Sequence, residues 1–232
     1  MVGSSGGRAI KLDVCAKDPM TRPLLVPIGL SGNLVELFES LEAAHEIPAI
    51  LDDDPRRAGT RFEGVPVLPL ARAAGFGEAR FLCLIGSERS FRVRGRIVAD
   101  LGLPRERFAR VAHPSARVSR MADVGCGTAI YHGVTVTSNA RIGDHVLVMP
   151  HAILHHDVTI GAHSLVGAGV IVAGGARIGA DCYIGSGAAI RNGITIGDGA
   201  LVGMGAVVVR DVAPGAVVAG NPARPLPRRP AE

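Results

Sequence analysis

The sequence predicts a chain in two parts, a small α/β domain with a parallel sheet and then a prism of short parallel strands made from six-residue repeats. Three observations predict it. Stepping by sixes from Val118, each position through Val208 is a branched aliphatic: Val124, Ile130, Val136, Ile142, Val148, Leu154, Ile160, Val166, Val172, Ile178, Ile184, Ile190, Ile196 and Val202. Ahead of that tract, from Pro23, apolar strand-like runs alternate with helical ones. The composition is 47% hydrophobic but holds no Trp, 2 Tyr and 6 Phe beside 31 Gly, so a core must be built from aliphatics between frequent turns.

The period decides the second half. Six is neither helical nor simply alternating; it fits one short strand per repeat, with tight turns and three faces per coil. Residues eighteen apart then stack in columns, Val118, Val136, Leu154, Val172, Ile190 and Val208 forming one. Each coil buries its aliphatics only against its neighbours. Gly often follows the register residue, as at Gly125, Gly143, Gly161 and Gly179, and small or β-branched residues stand two places before it, as at Ala140, Val146, Ala152 and Ser164. A helix with so much Gly and β-branching would be costly.

In the first half, "PLLVPIG" reads as a strand, "LSGN" as a turn, and "LVELFESLEAAHE" as a helix with Leu34, Leu37, Phe38 and Leu41 on one face. "IPAILDDD", "GVPVL" and "RFLCLIGS" read as further strands and "FRVRGRIVADLG" as a helix. The turn Gly29 to Asn33 lies between a strand and a helix start, where backbone N–H groups favour a phosphate. Asp52 and Asp53 end the next strand and are placed to accept hydrogen bonds from a sugar or base. The turn lacks the full Gly-x-Gly-x-x-Gly, so a plain strand-to-helix turn, and a solvated acidic turn before Pro55, stay open.

Several classes are set aside. No apolar run reaches the ~18 residues of a membrane helix, and residues 1–22 read as a flexible tail without the apolar centre of a secretory signal. Cys15, Cys83, Cys126 and Cys182 are scattered, which suits free thiols in a reducing cytoplasm better than zinc or disulfides. The net charge of +4 is almost all arginine, Lys11 and Lys17 being the only lysines. Such a surface suits phosphate-bearing small molecules; nucleic acid would call for an aromatic platform that is lacking.

The repeat tract and the closing segment "VVVRDVAPGAVVAGNPARPL" resemble the hexapeptide-repeat acyltransferases, which have a left-handed parallel β-helix. That resemblance implies a homotrimer with acyl-CoA in the groove between adjacent helices. The order of parts, a small domain, then "VAHPSARVS", then the helix, is similar to one subfamily from about Leu24 to Leu226. It holds the sialic acid O-acetyltransferases and the acetyltransferases of nucleotide-linked 4-amino sugars, bacillosamine- and perosamine-type enzymes among them. The resemblance implies a Rossmann-like nucleotide-sugar-binding domain at 23–112, an acetyltransferase domain at 113–226 and a tail at 227–232. In the subfamily the glycine turn and the acids hold the nucleotide, which carries over to Ser31, Gly32, Asn33, Asp52, Asp53 and Gly86. Two departures stand out: the turn usually ends in His where this chain has Asn33, and polar partners usually follow the fourth strand where this chain reads Gly86-Ser87-Glu88.

The stretch "LHHDVTIG" carries the chemistry. Leu154 is a register residue and points inward, so His155 and His156 fall at the next turn. Acetyl transfer from a thioester needs a base, a donor for the oxyanion and two substrates held together. Histidine is the natural base, and a neighbouring carboxylate, here Asp157, can hold its other nitrogen. The resemblance makes His156 the base, Asp157 its acid and His155 a wall residue, with direct attack of the acceptor on the thioester. It also implies that Gly174, one coil on, binds the acetyl carbonyl, and that acetyl-CoA passes Leu165, Ser186, Met204 and Arg224. Arg224 suits a CoA phosphate or is a solvated tail residue.

His151 and His156 are also five apart, as in the γ-class carbonic anhydrases that share this helix, with His132 as a third zinc ligand. Asp157, where that family has Gly, and a first domain left without a task argue against it. The expectation is an acetyl-CoA-dependent N-acetyltransferase of a nucleotide-linked amino sugar, with no metal, no membrane and no nucleic acid. A sugar O-acetyltransferase, a zinc hydrase and a non-catalytic scaffold are the alternatives.

Overall fold

The computed structural model describes residues 22–226; the expected tails lie outside them, Arg22 apart. The first domain comprises β1 (Leu25–Ile28), α1 (Gly32–Val35), α2 (Phe38–Ala44), β2 (Ile50–Leu51), β3 (Arg61–Phe62), β4 (Val65–Leu68), β5 (Arg80–Cys83) and α3 (Arg94–Asp100). Its sheet runs β3-β4-β2-β1-β5 and is parallel except for the β3–β4 hairpin. Central β1 is covered on both sides, which is why its residues are apolar without alternation.

Two expectations are corrected. The single helix across "LVELFESLEAAHE" is broken in two, because the Leu37 N–H bonds to the Leu34 carbonyl in a tighter turn. That turn puts Leu34, Leu37 and Phe38 together in the core. Strand β3 was not expected; Glu63 and Gly64, with φ of 47° and 79°, make a two-residue hairpin turn from a pair that only weakly signals one.

The second part is a left-handed parallel β-helix of two-residue strands, in which one residue points out and the register residue points in. It begins at Val111–Ala112, paired with Ala129–Ile130. The columns form as the period requires: Val118 pairs with Val136, Val136 with Leu154, Leu154 with Val172, Val172 with Ile190 and Ile190 with Val208. All these register residues are buried except Val118, which is half-buried at the open end.

The three faces differ outside. The docked face, through Ile130, Val148 and Val166, has buried outward residues, Ala129, Leu147 and Leu165, and carries the first domain. The bare face, through Val136, Leu154 and Val172, shows Ile153, Ile171, Ala189 and Val207, with Ile171 43% exposed. The polar face, through Ile142, Ile160 and Ile178, shows Asp123, Arg141, Thr159, Arg177 and Thr195, all exposed.

Two fully buried side chains pin the parts together. Arg94 donates to the carbonyls of Cys83 and Ile85 after β5 and to those of His145 and His163 on the helix. The Tyr131 hydroxyl donates to the Asn33 carbonyl at 2.8 Å.

Candidate active site

With Leu154 facing inward, the turn after it carries His155, His156 and Asp157 to the exposed corner between the bare and polar faces. Asp157 has φ of 60°, a left-handed conformation that Asp tolerates better than most residues. Its Oδ2 accepts from His156 Nδ1 at 2.8 Å and its Oδ1 from Asn139 Nδ2 at 3.1 Å, one coil earlier. The His156 bond and then the Asn139 bond hold the Asp157 carboxyl below the usual carboxylate range. With Asp157 ionised, Nδ1 is the protonated nitrogen, and Nε2 keeps a free lone pair.

Nε2 faces Gly174, where a Cβ would stand 2.5 Å from it. Only glycine leaves the imidazole room. The Gly174 N–H meets no acceptor among the described residues, while the Gly175 N–H bonds to the His156 carbonyl at 3.0 Å. A proton acceptor and an uncommitted donor thus share one corner, the two groups that acyl transfer needs.

The remaining residues expected near acetyl-CoA lie elsewhere on the chain. Ser186 and Met204 occupy successive turns at the docked–bare corner, Met204 being 75% exposed, and Leu165 is on the docked face. Arg224, in the last strand, is exposed and donates to the Ala223 carbonyl. His132 and His151 also stand at the docked–bare corner, ring centroids 5.1 Å apart, whereas His156 is one corner further on. Among the described residues no three of His, Cys, Asp or Glu are grouped to hold a metal. His163 is not a plain turn residue: its ring stacks on His145 at 5.1 Å, under the first domain.

A groove of about 440 Å³ runs between the first domain and the docked–bare corner. It is lined by Asn33, Glu36, Gly86 and Ser87 above and by His132, Met149, Leu165, Tyr183 and Ser186 below. Ser31 Oγ and Asn33 Nδ2 both donate to the Leu84 carbonyl, and Asn33 also to Gly86, so the loops after β1 and β5 form one ledge. The Gly32 and Asn33 N–H groups have no acceptor among the described residues. Asp52 braces this ledge by accepting from Leu30 N, Asp54 N and Arg57, while Asp53 accepts from Leu70 N in the segment after β4. Asn139, Glu36 and Tyr183 were missed as site residues, and His132 was weighed only as a zinc ligand; for Asn139 the signal was its place eighteen residues before Asp157.

Cys83, Cys126 and Cys182 are buried, and burial pushes the Cys182 thiol up to about 11. None of these described thiols is available as an acyl carrier at the corner.

A His–Asp pair borne on the corner of a hexapeptide prism that carries an α/β domain on another face defines a hexapeptide-type transferase. The family described as bacterial transferase hexapeptide (six repeats) matches residues 139–174 and 175–210. A structure of a perosamine N-acetyltransferase variant from Caulobacter crescentus, in complex with CoA and GDP-perosamine, is 33% identical, with a TM-score of 0.78 over 88% of this chain and 97% of that one. The acetyltransferase domain of PglB from Neisseria gonorrhoeae, in complex with acetyl coenzyme A, is 31% identical, with a TM-score of 0.76 over 88% of this chain and 100% of that one. WeeI from Acinetobacter baumannii is 27% identical, with a TM-score of 0.74 over 88% and 99%. No curated protein sequence matches the chain. The chain belongs to the hexapeptide-repeat acetyltransferases, in the subfamily of the sialic acid and nucleotide-linked amino-sugar acetyltransferases.

Proposed function

We propose that the protein transfers the acetyl group of acetyl-CoA to the amine of a nucleotide-linked sugar. The observation that carries this is the His156 ring, held through Nδ1 by Asp157 and presenting Nε2 beside Gly174. The amine nitrogen bonds to the thioester carbon, the developing oxyanion takes the Gly174 N–H, and Nε2 takes the ammonium proton. Collapse breaks the C–S bond, and the departing CoA thiolate takes that proton from the imidazolium. The nearness of relatives that bind CoA and GDP-perosamine supports this acceptor class. The Gly32 and Asn33 N–H groups suit its phosphates, and Ser31, Asp52, Asp53 and Gly86 shape their ledge.

The site is completed by a second copy. Within one chain the ledge and groove open at the docked–bare corner, but His156 stands at the bare–polar corner. From Ile153 to Val207 the bare face between these corners is apolar and uncovered, which suits it to pack on other copies around a threefold axis. Rotation about an axis parallel to the prism leaves axial level unchanged. The His156 turn lies between the levels of Met149 and Gly167, both of which line the groove. A neighbour's His156 therefore arrives level with this groove, and Leu165, Ser186, Met204 and Arg224 line the path of CoA. Both substrates are cytoplasmic, in keeping with the buried thiols; among the described residues no helix is long and apolar enough to cross a membrane.

The test is thiol release from acetyl-CoA against a panel of UDP-, GDP- and dTDP-linked amino sugars. Turnover of at least one is expected. Acetylation of free sugar alone, with no nucleotide bound, would reject the reading.

A further inference from the structure

The groove carries a carboxylate, Glu36, and neither Lys nor Arg among its described lining residues. Glu36 lies just past α1 and is exposed; its carboxylate makes no hydrogen bond or ion pair with a described residue. Its charge reaches Tyr131 beneath the groove, whose hydroxyl is pushed above its usual range by burial first and Glu36 next. The lower wall brings apolar Met149, Pro150 and Leu165 together with His132, Tyr183 and Ser186. An unpaired carboxylate flanked by apolar side chains attracts a cation more strongly than one in open water.

We propose that Glu36 receives the ammonium group of the acceptor sugar, so that this groove selects an amine over a hydroxyl. This rests on the transfer reaction proposed above. The substrate is then oriented by charge at both ends, with its phosphates on the uncommitted N–H groups of Gly32 and Asn33 and its ammonium at Glu36. The ammonium gives one proton to solvent to become a nucleophile and the second to His156 as the new C–N bond forms. The acetylated product is a neutral amide and loses its attraction for Glu36, which favours release.

Binding in a His156→Asn background tests the assignment without turnover. The ligands are the amino-sugar nucleotide best acetylated in the panel, its N-acetyl product, and acetyl-CoA. Glu36→Gln should weaken the amine about tenfold, the scale of one charge-assisted contact, and leave the product and acetyl-CoA unchanged. No change for the amine, or an equal loss for amine and product, overturns the role of Glu36 while the transfer reaction stands. A panel with no turnover at all removes the transfer reaction, and this assignment with it.

Discussion

A methyl group on Gly174 would stand 2.5 Å from Nε2 of His156, well inside contact distance. Gly174→Ala must therefore displace the imidazole, since the backbone behind it is fixed by the bond from Gly193 N to the Gly174 carbonyl. Misplacing a base by about 1 Å costs on the order of 100-fold in rate. The expected result is a kcat lowered about that much with unfolding temperature unchanged, as read by thiol release and calorimetry.

His156→Asn removes the proton acceptor and should lower kcat by about 10²–10⁴, with acetyl-CoA still bound. Asp157→Asn should cost less, because the base remains but its tautomer is no longer imposed. Asn139→Ala, which frees one oxygen of Asp157, should cost least. The order of the three kcat values is the test; an Asn139 effect as large as that of His156 would contradict the arrangement.

Ile171 is a large exposed apolar residue at the centre of the bare face. Ile171→Glu places a charge where copies are proposed to pack, at a position that needs no buried volume for the fold. Sedimentation should show monomers with unchanged circular dichroism, and activity should be lost even though each chain keeps both halves of the site. Active monomers would rule out a shared site.

The stacked His145 and His163 rings make the joint between the parts sensitive to acid. Burial first, then the neighbouring His163 and Arg94, push His145 down to about 4; burial likewise lowers His163. In the unfolded chain these rings take protons near the ordinary value of about 6.5. Stability is thus fullest above that pH and falls as pH drops towards 4, by about 3 kcal/mol for His145. Denaturation midpoints at several pH values measure it, and His145→Asn, which tolerates the φ of 58° there, should flatten the acid limb.

The helix was legible because one row of branched aliphatics has a single explanation at that period; the inward Leu154 puts His155, His156 and Asp157 at the turn, and the resemblance singled out His156. What the repeat could not show is which outward face stays bare. That depends on Leu147 and Leu165 being covered by a domain distant in sequence, so the separation of the groove from the His156 corner was hidden. Asp52 and Asp53 also bond to backbone N–H groups of neighbouring loops, contacts that local sequence does not reveal. Arg94 looked like one more basic helix residue. Its burial among four carbonyls arises only when β5 and two coils of the helix meet.

That guanidinium works as a rivet between the two parts, with carbonyls of both in its grip. Swinging the first domain away would break its bonds to the His145 and His163 carbonyls, each charge-assisted bond being worth about 1.5–3 kcal/mol. The position of the Asn33 and Gly86 ledge over the helix is therefore set as the chain folds, by one side chain that bonds to both parts at once.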